Sequence, residues 1–169
     1  ISAAQKLVKE LKDMSKNVLD RLDYEKRKGD EMRHGKTSLR DRSSKNKKVV
    51  IQLYCAQNTD MTTFALQELR TKLSNVLVQD GLELDFRIRT THLKIESHIP
   101  LIVICLWSSG LNVDFNIAVS GTPTGYNTAV LIFHHLKQHA LPTVPSNMLL
   151  TEAEVQTVGI IIDVAFFEG

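Results

Sequence analysis

The chain has 169 residues, 43% of them apolar and 24% charged, with two cysteines and a formal net charge of +2. One hydrophobic core is the expectation at this length. Cys55 and Cys105 each sit inside an apolar run with no CxxC spacing, which fits reduced, buried thiols in an intracellular, cytoplasmic protein rather than a disulfide scaffold. No apolar run reaches the roughly 18 residues of a transmembrane span, and no apolar h-region opens the chain as a signal peptide would.

Residues 1–24 place Ala4, Leu7, Leu11, Met14, Val18 and Leu22 at spacings of three and four, the stripe of an amphipathic helix. Its a/d-like seam offers a surface to the main domain or to a protein partner. Residues 25–47 follow as a basic polar linker. From 25 to 48 the chain carries ten Lys/Arg against four Asp/Glu, and Met32 and Leu39 are the large apolar residues there, too few to order it. This run has no aromatics for base stacking and precedes an acidic segment, which argues against a nucleic-acid partner.

Residues 48–169 change period. "KVVIQLYC" is a short, β-branched first strand, and the next stretch places Phe64, Leu66, Leu69, Leu73, Val76 and Leu77 on one helical face ending at Gly81. "LELDFRIRT" alternates apolar and charged residues, as an edge strand with one wet face does. The stretch "HLKIESHI" is short for a crossover helix. "PLIVICLW" is apolar throughout, as a central strand is, and Ser108 or Ser109 is expected to cap a helix burying Leu111, Phe115, Ile117 and Ala118 and closing at Gly121. "NTAVLIFHHL" is a further strand, "TEAE" at 151–154 matches a capping box, and "VGIIIDVAFF" is the last strand.

This alternation predicts a three-layer α/β domain with a five-stranded, mainly parallel sheet in the order 2-1-3-4-5. The N-terminal helix is expected to take the layer left vacant after the last strand. The layout resembles the flavodoxin-like family, which includes TIR-like relatives, over residues 48–169. The resemblance implies a phosphate or flavin cradle in the loop after the first strand, here "CAQNTDMTT", and an aromatic after the third, here Trp107. An electron-transfer role is implied by the resemblance alone.

Independently of any family, a parallel sheet opens a crevice where its strand order reverses, here between strands one and three, and helix N-termini there favour phosphate. The candidate ligand-binding residues are Gln57, Asn58, Thr59 and Thr62 on one wall and Trp107, Ser108, Ser109, Gly110 and Asn112 on the other. A phosphate-bearing nucleotide is the expected ligand, with ADP or another adenine nucleotide ahead of FMN, because ten aromatics supply a single stacking ring more readily than a flavin sandwich. The bland alternative is that Ser108 and Ser109 only cap and Trp107 only packs. The alternative class is an adaptor-like protein-interaction module with an empty crevice. "SGTPTGYNT", with Thr124, Gly125 and Asn127, is the reserve phosphate loop. His134, His135 and His139 do not specify a metal site, because adjacent strand residues face opposite sides. None of the common nucleophile or nucleotide motifs occurs.

Overall fold

The computed structural model describes Lys9 and residues 47–79, 81–134 and 142–165. Apart from Lys9, the expected N-terminal helix and the basic linker as far as residue 46 lie outside the described residues, as do His135 and His139. The described chain runs β1 (Lys47–Cys55), α1 (Asp60–Gln79), β2 (Leu82–Arg89), β3 (Leu101–Leu106), α2 (Leu111–Val119), β4 (Gly125–His134), α3 (Glu152–Gln156) and β5 (Val158–Ala165). Described 3-10 turns at His92–Lys94 and Ser146–Met148 lie in the connections before β3 and α3. All neighbouring strands pair in parallel, and their order is β2-β1-β3-β4-β5.

Period-two alternation divides each central strand between two cores. Val49, Ile51, Leu53, Ile102, Ile104, Leu131, Phe133 and Ile162 share one face with Ala65 and Leu73 of α1. Leu101, Val103, Cys105, Val130 and Ile132 share the other with Leu111, Phe115 and Ala118 of α2. Burial on both faces explains why β3 and β4 read as unbroken apolar runs. The cysteines divide the same way, since Cys55 is in register with Ile104 and packs on the α1 face, while Cys105 lies on the α2 face.

Both long helices depart from the expected apolar face at one position. Phe64 of α1 is 45% exposed; the Val76 side chain lies outside the described set. In α2 the buried residues are Leu111, Asp114, Phe115 and Ala118, while Ile117 is 47% exposed. The spacing i, i+3, i+4, i+7 is a single helical stripe, and Ile117 falls beside it. An aspartate thus occupies the place assigned to an isoleucine. Gly81 closes α1 in the left-handed region at φ 70°, as the sequence predicts.

The connection from β2 to β3 makes one 3-10 turn instead of a crossover helix, so it adds no helix to the α2-side face of β1 and β2. A polar lattice covers part of this face. The buried Gln52 amide donates to the Glu96 carbonyl at 2.8 Å and to the Ile99 carbonyl at 3.3 Å, and its oxygen accepts from Glu96 N at 2.9 Å and Arg89 Nε at 3.1 Å. Arg89 reaches Glu96 at 2.7 Å, with Arg87 on the same carboxylate oxygen at 3.3 Å. Every hydrogen-bonding position of the Gln52 amide is met, which is how a polar side chain is tolerated in a central strand. Among the described residues, no helix is long and apolar enough to cross a membrane.

Candidate functional site

The strand order reverses between β1 and β3, so their C-terminal ends bound the crevice where parallel α/β sheets bind ligands. On the β1 side, Thr59 and Thr62 close on each other. Thr59 N donates to Thr62 Oγ1 at 2.8 Å, and Thr62 N donates to Thr59 Oγ1 at 3.2 Å. The Thr62 hydroxyl lies 2.9 Å from the Gln57 carbonyl, which also accepts from Cys55 Sγ at 2.9 Å. Thr59 thus caps α1, its hydroxyl accepting from the first-turn N–H of Thr62, while Thr62 is buried and Asn58 is left exposed.

The β3 side is more completely self-satisfied. Backbone N–H groups of Ser108, Ser109 and Gly110 donate to Asp114 Oδ2 at 2.8, 2.9 and 3.1 Å, and the Ser109 hydroxyl donates to Oδ1 at 2.8 Å. These are the donors expected to face a phosphate, and the protein's own carboxylate holds them. Burial pushes the Asp114 carboxyl up, but the bonds from Ser108, Ser109 and Gly110 outweigh it and hold the group below the usual carboxylate range. Neither serine caps α2. Gly110 is the N-cap, in extended backbone at φ −177°, and it supplies no side-chain bond. The serines lose that role because their N–H groups and the Ser109 hydroxyl turn towards Asp114.

Trp107 packs edge-on against His134, with ring centroids 5.0 Å apart and an interplanar angle of 62°. His134 Nε2 lies 2.6 Å from Asp163 Oδ1. Ser146 donates its hydroxyl to the same oxygen and its backbone N–H to Oδ2 at 3.0 Å. A hydrolytic relay needs serine to donate to histidine. Here both groups converge on the carboxylate, which pins the connection before α3 to the ends of β4 and β5. Burial pushes the Asp163 carboxyl up; the Ser146 and His134 bonds outweigh it and hold it low. The cysteines are equally unsuited to nucleophilic work, since burial first and the Asp114 charge second push the Cys105 thiol up to about 12. Among the described residues, no group of three His, Cys, Asp or Glu side chains is placed to hold a metal ion.

The reserve loop is at the wrong end. Gly125 and Asn127 begin β4, and the N-terminal ends of parallel strands lie opposite the crevice.

An open cavity of about 680 Å³ lies on the α2 side of the crevice, lined by Tyr54, His92, Asn112, Val113, Asn116, Ile117 and Ser120. Three separate segments contribute its described lining. Tyr54 comes from the end of β1, His92 from the short connection before β3, and the remainder from α2 or its end. Asn112, Asn116 and Ser120 recur every four residues, as do Val113 and Ile117, so a polar row and an apolar row run side by side along α2. The His92 ring is set by Gly121, where a Cβ would come within 2.9 Å of it and where φ is 73°.

Tyr54 is only 6% exposed, and its hydroxyl makes no hydrogen bond to any described residue. No fully buried polar side-chain atom among the described residues lacks a partner, so this hydroxyl keeps some exposure, and Tyr54 is one of the residues that line the cavity. Of the nine expected residues, the cavity takes Asn112 alone. Sequence reading missed Tyr54, His92, Asn116 and Ser120. The usable signal was the missing crossover helix together with the four-residue polar row.

The chain matches no protein-family model, no curated protein and no solved structure.

Proposed function

We propose that this domain is a small-ligand-binding module of the nucleoside and nucleotide class, with its ligand in the Tyr54 cavity. The observation that carries this reading is the Tyr54 hydroxyl: nine-tenths of the residue is buried, yet its one side-chain polar atom bonds to no described residue. An unmade hydrogen bond in such surroundings costs about 1–3 kcal/mol unless water or a ligand satisfies it. Two features support the reading. The cavity lies beside the point where strand order reverses, and its volume falls within the range of small-molecule sites.

This reading shifts the ADP expectation from the loop of Trp107–Gly110 to the neighbouring first turn of α2, keeping Asn112. FMN gains less support, because Trp107 presents its ring to His134. An adaptor reading draws on the exposed side chains of Leu93, Val113 and Ile117, where a partner's apolar side chain would occupy the same space.

The test is thermal unfolding with millimolar ADP, AMP, FMN and adenosine, for the unmodified protein and for Ile117→Trp, which fills the cavity from an exposed position. A ligand present at 100 times its dissociation constant stabilises by about 2.7 kcal/mol. At least one compound is expected to raise the melting temperature of the unmodified protein and to leave Ile117→Trp unchanged. Flat curves for all four, or equal shifts in both proteins, would move the assignment to the adaptor class.

A further inference from the structure

We infer that the Tyr54 cavity selects an uncharged planar heterocycle, the base and sugar of a nucleoside, and gives no affinity to a phosphate group. The inference rests on the cavity being the site and adds the chemistry of what enters it. Among the described residues, its lining contains no charged side chain. Tyr54, His92, Asn112 and Ser120 present a phenol, an imidazole, a carboxamide and a hydroxyl, and none of these side chains bonds to another described residue. A carboxamide sets a donor beside an acceptor, which complements the edge of a base. Val113 and Ile117, one helical turn apart, form an apolar strip against which a flat ring can lie.

The surroundings oppose an anion. At the start of α2, where phosphates commonly bind, the free N–H groups before the helix are held by Asp114. A phosphate there would have to displace a buried carboxylate that three backbone bonds stabilise. A second carboxylate borders the cavity, since Asn116 Nδ2 donates to Glu154 Oε1 at 2.6 Å and to the Asn112 carbonyl at 2.8 Å. These bonds tie up the Asn116 amide and leave Asn112 as the carboxamide free to read the ligand.

Calorimetric titration with adenosine and ADP as probes, each at low and high salt, tests the ligand class. Adenosine is expected to bind at least as tightly as ADP, with little dependence on salt. Tyr54→Phe and Asn112→Ala should each weaken adenosine threefold to tenfold, the effect of one hydrogen bond, while leaving the circular dichroism spectrum unchanged. Ile117→Trp should abolish binding. ADP binding tenfold or more tighter than adenosine, or no adenosine binding at millimolar concentration, overturns the ligand class. If another compound, such as FMN, is still blocked by Ile117→Trp, the cavity remains the site and only its ligand class fails. If no compound responds to Ile117→Trp, the site fails as well.

Discussion

Two clusters lie within a few residues of each other around the first turn of α2, and they treat their polar groups in opposite ways. Before the helix, three backbone N–H groups and a serine hydroxyl all converge on Asp114. Beside the helix, the side chains of Tyr54 from β1, His92 from the connection before β3, and Asn112 and Ser120 from α2 and its end line a cavity and bond to no described residue. The first cluster uses its donors within the fold; the second keeps hydrogen-bonding groups that no described residue uses. Richness in donors is therefore a poor guide to binding, because what counts is the donors left over after the chain has satisfied itself.

The sharpest way to break this comparison is to remove the acceptor. Asp114→Ala leaves four donors at a buried position and is expected to lose at least about 3 kcal/mol of stability in chemical denaturation. Inorganic phosphate should then raise the melting temperature of the variant by filling the vacated nest, and leave the unmodified protein unaffected. A phosphate response of the unmodified protein would show that Asp114 yields its donors to a ligand.

Acid should act through the same carboxylates. Asp114 and Asp163 are both held below the ordinary carboxylate range in the folded protein. The unfolded chain takes up protons first as pH falls, so the stabilisation is complete above about pH 4 and is lost as pH drops through the lower folded values. Denaturation from pH 6 to pH 2 should show this loss, and Asp114→Asn should flatten the acid limb. An unchanged acid limb would mean that Asp114 does not report on folding.

A smaller effect is expected where the cavity wall is set. Gly121→Ala places a side chain in the left-handed region, at a cost of about 1–2 kcal/mol, and pushes on the His92 ring. Pairing it with His92→Ala should recover the contact part and leave the backbone part. Additive losses in that double-mutant cycle would show that the ring moves away freely.

Tyr54→Phe is expected to change stability least, by no more than about 0.5 kcal/mol, because its hydroxyl bonds to no described residue. A loss of 1 kcal/mol or more would reveal a structural partner for that hydroxyl and would put Tyr54 in the same class as Asp114.

Much of the fold was legible in short-range patterns. Alternation pointed to β2 as an edge strand, although Ile88 on its expected dry face is exposed and Arg89 on the expected wet face is half-buried; unbroken apolar runs identified β3 and β4 as interior strands, and the capping box at Thr151 and Glu154 is present with both reciprocal bonds. Helix faces were less legible, because α2 buries Asp114 in preference to Ile117. Counting apolar residues favours the isoleucine, whereas the geometry of the stripe favours the residue three after Leu111. The Asp114 nest spans few residues and left a trace in "SSGLNVD", a donor-rich turn followed by an acid in the first turn of the helix. That acid supplies the anion which the donors would otherwise seek from a ligand.

By itself the sequence determined five strands, their parallel order and the absence of a full helix between β2 and β3, because periodicity, capping and connection length act over a few residues. Only the tertiary structure decided which polar groups remain free. Tyr54 belongs to β1, His92 to the connection before β3, and Asn112 and Ser120 to α2 and its end. No local pattern links residues so far apart, and whether a hydroxyl ends in a cavity or against a carbonyl depends on how three separate segments pack around it.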